Sequence, residues 1–160
     1  MQSKDRYFAP PNQSIDDIPA DIQHLYICGL KDYEFDYLIF SNNPFYQLNS
    51  ITIGSKCFLK VRKFVISGLP NLERVEIDNS CFYKYDAYSH HFFFEEDEFW
   101  NEPVDGICRI TNCPNLTQLE IGNGSFQDFK SFELSNLNSI QSINFGNYCF
   151  FFANLSIIGM

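Results

Sequence analysis

The sequence predicts a β-rich solenoid of about four 24-residue coils, with two parallel β-sheets and little helix. The first observation behind this is the stretch Phe64 to Phe82, FVISGLPNLERVEIDNSCF. Phe64/Ile66 and Val75/Ile77 each alternate with polar or outward-pointing neighbours, the period of half-buried strands. Gly-Leu-Pro-Asn forms a corner between them, and Asp-Asn-Ser a second corner after them. The second observation is recurrence. Moving back 24 residues gives Phe40, Phe45, Leu48, Ile51, Ile53, Cys57 and Phe58. Moving forward 44 gives Cys108, Ile110, Cys113, Leu116, Leu119, Ile121, Ser125 and Phe126. A further 24 gives Phe132, Leu134, Leu137, Ile140, Ile143, Phe145, Cys149 and Phe150. The 44 is one period plus an insertion of 20, and a fixed period with this many matched positions marks a solenoid. The third observation is turn chemistry. Gly54-Ser55, Asp78-Asn79, Gly122-Asn123 and Gly146-Asn147 place Gly, Asn or Asp where a left-handed backbone is cheap.

The elements follow in order. Residues 1–39 are expected to form an N-terminal segment and a degenerate capping coil. Residues 40–160 are expected to form the solenoid, right-handed, with an insertion over 83–106 and an incomplete last coil. Met1 to Asn12 is polar, carries Pro10-Pro11, and is expected to be loosely ordered. Ile15, Ile18, Ile22, Leu25 and Ile27 are irregularly spaced around Pro19. Leu25 and Ile27 read as a strand in a terminal repeat that is atypical because it caps the stack. In Lys31 to Ile39, Tyr33, Phe35 and Tyr37 alternate with acids, which suits a short extra strand or a lid over the first coil. Phe40 to Phe82 forms two coils, each closed by an interior Phe after a Cys. A lone coil cannot bury enough apolar surface to offset the entropy of ordering its backbone, so the coils must stack. Cys108 to Phe150 adds two more. Phe151, Phe152, Leu155, Ile157 and Ile158 then begin a coil with no polar cap, an apolar edge that invites pairing.

Length and charge narrow the function classes. A chain of 160 residues suits one domain. A net charge of -9, with no basic stripe, argues against nucleic acid and against an anionic membrane surface. No apolar run approaches the roughly 18 residues of a membrane helix, and Met1 to Pro10 shows no signal-peptide pattern. A cytoplasmic location with reduced thiols is the expectation. Cys57, Cys81 and Cys149 share one rung with Ser125, while Cys108 and Cys113 replace Phe and Leu in inward slots. They read as small buried hydrophobes, and a disulfide between adjacent coils stays open because stacked strands lie about 4.8 Å apart. No C-x-x-C pair points to zinc, and no cofactor is expected.

The phrase F-x-I-x-x-L-x-x-L-x-x-V-x-I-x-x-x-C-F resembles a leucine-rich repeat, closest to the BspA-type branch of protist and bacterial proteins. The likeness runs from Phe40 to Phe150 and includes Ile53-Gly54 with Cys57-Phe58, Ile121-Gly122 with Ser125-Phe126, and Phe145-Gly146 with Cys149-Phe150. Gly54, Asp78, Gly122 and Gly146 stand where the best-known leucine-rich repeats carry Asn after the L-x-L strand. The resemblance implies protein or ligand binding and supplies no catalytic residues.

Two regions are candidates for an unknown protein partner. The outward residues of one strand face are Ser50 and Thr52, Arg74 and Glu76, Gln118 and Glu120, and Ser142 and Asn144. Of these, Arg74, Glu76, Gln118, Glu120 and Asn144 are the predicted contacts. The face is of mixed sign and holds no aromatic anchor. The insertion Tyr83 to Gly106 holds one Lys and seven acids, the only Trp and two of the three His. Tyr85, Phe93 and Trp100 are its predicted contacts, since long inserts in repeat arrays are often functional. His90, His91, Glu95, Glu96, Asp97 and Glu98 match no established metal-ligand spacing. Catalysis has little support. Glu76 and Glu120, with Glu133 on the other strand, mimic the acids of β-helix carbohydrate enzymes. They are flanked by Thr52 and Asn144, with no basic subsite alongside. His24, His90 and His91 are placed outside the repeat framework, so no nucleophile–His arrangement is proposed. The leading expectation is a non-catalytic interaction module. The alternative is a structural or adhesive module that self-associates through its C-terminal edge.

Overall fold

The computed structural model describes residues 5–9, 14–28, 36–82, 104–151 and 153–160. Strands are numbered along the chain. The apolar alternation at Leu25/Ile27, Ile51/Ile53, Val75/Ile77, Leu119/Ile121 and Ile143/Phe145 produces β2 (His24–Ile27), β4 (Ser50–Ile53), β6 (Arg74–Ile77), β8 (Gln118–Ile121) and β10 (Ser142–Phe145). With β1 (Arg6–Ala9) they make a six-stranded sheet in the order β1-β2-β4-β6-β8-β10. The intervening alternation produces β3 (Tyr37–Ser41), β5 (Lys63–Ser67), β7 (Val104–Thr111), β9 (Phe129–Ser135) and β11 (Asn154–Ile158). These form a five-stranded sheet in the order β3-β5-β7-β9-β11. Every pair is parallel, and Leu25, Ile51, Val75, Leu119 and Ile143 stand in one row. From β4 to β10 the register follows the 24-residue period or its 44-residue interruption. At β3 it corrects the sequence alignment: Leu38, not Phe40, stands opposite Phe64, and Phe40 stands opposite Ile66, because the link through α1 to β4 is two residues longer than the repeat. At β11 the step is one residue shorter, with Leu155 opposite Phe132. From β2 onward the chain alternates between the two sheets, an arrangement compatible with the predicted β-solenoid. The described helix is limited to a 3-10 turn (Ile15–Asp17) and the four-residue α1 (Asn42–Phe45). No helix among the described residues is long and apolar enough to cross a membrane.

The core lies between the sheets. Its spine is the phenylalanine that ends each repeat. Phe58 stacks on Phe82 at 5.5 Å, Phe82 on Phe126 at 4.4 Å, and Phe126 on Phe150 at 5.1 Å. All four have positive φ, between 51° and 59°. A bulky side chain rarely adopts that conformation. Here burial and ring stacking along the spine offset the backbone cost. Phe64, Phe129 and Phe132 join from the second sheet.

The rung before each phenylalanine is a donor as well as a filler. Cys81 Sγ donates to the Gly54 carbonyl at 3.1 Å, Ser125 Oγ to the Asp78 carbonyl at 2.8 Å, and Cys149 Sγ to the Gly122 carbonyl at 2.9 Å. Each bond ties one coil to the one before it. This is why Ser can replace Cys at Ser125, where the hydroxyl also accepts the Cys81 N–H at 3.0 Å. All six cysteines are free thiols. Burial pushes the Cys81 thiol up to about 12 and the Cys108 thiol well above its ordinary value.

The fold corrects the sequence reading at four further places. The sequence predicts loose order over residues 1–12, but Arg6–Ala9 extends the first sheet, with Phe8 stacked on Tyr26 at 4.8 Å and Ala9 buried. His24 belongs to the repeat framework, since it pairs with Ser50 in register. The insertion, predicted over 83–106, gives way by Val104, where β7 begins with a one-residue bulge between Val104 and Ile107 opposite β9. The turn residues Gly54, Asp78, Gly122 and Gly146 do not take the left-handed conformation. That falls two residues later, at Lys56, Ser80, Gly124 and Tyr148.

The glycines are there for space. A Cβ on Gly122 would lie 2.7 Å from the Asn79 backbone nitrogen and from Asn79 Oδ1, and one on Gly146 would lie 2.5 Å from the same atoms of Asn123. The cause is an asparagine ladder. Asn79 Oδ1 accepts the Asn123 N–H at 2.8 Å, and Asn123 Oδ1 accepts the Asn147 N–H at 2.7 Å, drawing successive turns together. The coil below Asp78 has Ser55 in place of Asn, so no such approach occurs there. Asp78 keeps its side chain, and its Oδ1 accepts the Asn79 N–H at 2.7 Å to start the ladder.

Candidate functional site

The strand register brings the predicted face residues together as two columns on the outer side of the six-stranded sheet. One column is His24, Ser50, Arg74, Gln118 and Ser142; the other is Tyr26, Thr52, Glu76, Glu120 and Asn144. Parallel pairing holds neighbours in a column about 4.8 Å apart, close enough for their polar ends to meet. Arg74 Nη2 lies 3.2 Å from Glu76 Oε2 and 3.9 Å from Glu120 Oε1. Gln118 Nε2 donates to Glu120 Oε1 at 3.3 Å. At the N-terminal end of the column, His24 Nδ1 and Ser50 Oγ are 2.8 Å apart.

These contacts hold the two carboxylates side by side without burying them: the side chains of Glu76 and Glu120 keep 41% and 35% of their surface exposed. An open depression of about 390 Å³ runs across the ends of four strands at this point. Thr52, Glu76, Glu120 and Asn144 line it, together with Asp78 and the backbone of Gly54, Gly122 and Gly146. Phe145 lines the depression at the last strand. Three carboxylates line it and no cation does, because Arg74 stands on the neighbouring column.

Arg74, Glu76, Gln118, Glu120 and Asn144 therefore share one surface, and Glu76, Glu120 and Asn144 line the depression itself. Tyr85, Phe93 and Trp100, like His90, His91 and the acids of residues 95–98, lie outside the described residues. Glu133 is on the other sheet, bonded by Arg109 at 2.8 Å, and does not join Glu76 and Glu120. Among the described residues, no three His, Cys, Asp or Glu side chains gather to hold a metal. The sequence reading missed Asp78, Phe145 and the glycine backbone as lining. It also missed His24 and Tyr26, whose continuation of the columns follows from the alternation HLYI once it is aligned with SITI.

Comparison with known proteins returns no matching family model, no matching curated protein and no matching solved structure.

Proposed function

We propose that this chain is a non-catalytic protein-interaction module of leucine-rich-repeat type, and that its partner lies along the outer columns with a basic side chain in the depression. The observation that carries this is the depression itself: Glu76, Asp78 and Glu120 line it with no cation among the lining residues, while the side chains of Asn144 and Thr52 offer neutral hydrogen bonds. A Lys or Arg presented on an extended segment meets both charge and shape there. Arg74 pre-orients the two glutamates, which lowers the ordering cost of binding. Exposed carboxylates shared by an arginine suit recognition better than proton transfer, which supports the non-catalytic reading.

The probe is a Lys-Gly-Lys-Gly-Lys peptide, with its fully acetylated form as control, titrated by calorimetry at low and moderate salt. The expected result is binding of the cationic peptide alone, weakened about tenfold by Glu76→Gln with Glu120→Gln, as loss of about 1.4 kcal/mol requires. Salt should weaken it further. Equal binding of both peptides, or indifference to the double substitution, overturns the proposal.

A further inference from the structure

The two ends of the strand stack differ. At the first end the inward residues are covered: Ala9, Leu38 and Phe40 are buried, and Ile18 and Ile22 between β1 and β2 are buried with them. At the last end they are open. Leu155 and Ile157 stand in register with Phe132 and Leu134, which are fully buried, so they continue the inward rows; yet they are 59% and 52% exposed. Phe145, Tyr148 and Phe151 are exposed beside them. The outermost strands here, β10 and β11, offer unpaired edges. Such edges are ordinarily guarded by charge, by proline or by a covering segment. Neither of the first two guards is present. Residues 134–160 contain no Asp, Glu, Lys, Arg, His or Pro, in a chain whose net charge is -9.

We propose that a second copy of this chain covers this end, tail to tail, with β11 of each copy antiparallel to β11 of the other. The absence of charge identifies the occupant. Two copies of an acidic protein repel one another over most of their surfaces, and this end is where they meet without like charges facing. The first end also has edge strands, β1 and β3, but their exposed apolar residues, Phe8, Tyr37 and Ile39, lie on the outward faces, while the inward rows are buried. The open inward rows of the last end therefore find their complement in a second last end. Contact between like ends is isologous and closes at two copies. The geometry permits it. A two-fold axis perpendicular to the sheets reverses strand direction but keeps inward faces inward. Centred on Ser156, it sets Leu155 opposite Ile157 of the second copy, and the two cores become continuous.

The test combines mass and cross-linking on the full chain. Sedimentation should give twice 18.7 kDa at micromolar concentration. Leu155→Lys with Ile157→Lys should reduce this to the single mass with the far-ultraviolet dichroism retained. Opposed Cα atoms in an antiparallel pair lie about 4.5–5.5 Å apart, within disulfide reach. Ser156→Cys, in a Cys28→Ser background, should therefore oxidise to a covalent dimer. Asn154→Cys, displaced from its own copy by about 13 Å along the strand, should not. A single mass at every concentration, a ladder of higher masses, a dimer that survives the double substitution, or cross-linking through position 154 but not 156 each overturns the proposal. If the double substitution unfolds the chain, the cysteine pair decides alone.

Discussion

Gly122 and Gly146 each sit against the asparagine of the coil before, and their role is spatial. From sequence alone, a glycine beside asparagine in a turn reads as a left-handed position, because both residues tolerate one. The same letters serve a different need here, and only the contact between coils distinguishes the two. Gly68 is the contrasting case: it has φ of +68°, and a Cβ added there would meet nothing within 4 Å. Gly122→Ala must force the Asn79 turn away and is expected to cost about 1–3 kcal/mol, as overpacking does. Gly68→Ala meets only backbone strain, at about 1 kcal/mol. Urea unfolding of the two variants checks this, and equal midpoints would refute the spatial reading. The rung residues carry a similar lesson. Cys and Ser at one position look like small fillers in the sequence, and their bonds to the preceding coil become visible only when the coils are stacked.

At the scale of the element, β4, β5, β6, β8, β9 and β10 were legible because two-residue alternation and the 24-residue period agree on them. β1 was not, because RYFA is a short run beside two prolines and gains its place through the Phe8–Tyr26 stack. The insertion was legible as an interruption, but its end was not, since Val104-Asp105-Gly106 carry no period of their own and are drawn into β7 by pairing with β9. Between Phe58 and Lys63 the uninterrupted repeat spends four residues on the crossing from one sheet to the other, as it does between Phe126 and Ser131. Removing residues 84–103 leaves four between Phe82 and Ile107. This deletion is expected to fold, with the β5–β7 and β7–β9 pairings intact and a thermal midpoint within a few degrees of the full chain. Loss of the cooperative melt, followed by circular dichroism, would show that the removed segment is needed for the sheets to form.

For the whole molecule, the two sheets enclose thiols that the folded state keeps protonated. An unfolded thiol titrates near 9, whereas burial holds Cys81 to about 12 and Cys108 well above its ordinary value. The unfolded chain therefore loses these protons first as pH rises. Stability from each thiol is complete below pH 9 and falls between there and the folded value, at up to about 1.4 kcal/mol per pH unit for each. Cys81→Ser keeps the donor to Gly54 and should flatten the alkaline limb of urea midpoints measured from pH 8 to 11; an unchanged slope would count against the assignment. The outer columns were legible as a surface because alternation alone names outward residues. The depression was not, since it depends on how the turns of successive coils pack against one another.

The asparagine ladder also restricts how such a chain can grow by gene duplication. A repeat ending in Gly-Asn, like those at Gly122-Asn123 and Gly146-Asn147, can be copied after itself without limit, since each copy brings both the asparagine that reaches forward and the glycine that makes room. The repeat with Asp78-Asn79 cannot: a second copy would set an aspartate side chain against the first copy's asparagine. It can open a run of such repeats but not extend one. The order of the repeats is thus constrained along with their composition: a recombination event that shuffled them would set side chain against side chain even though every unit stayed intact.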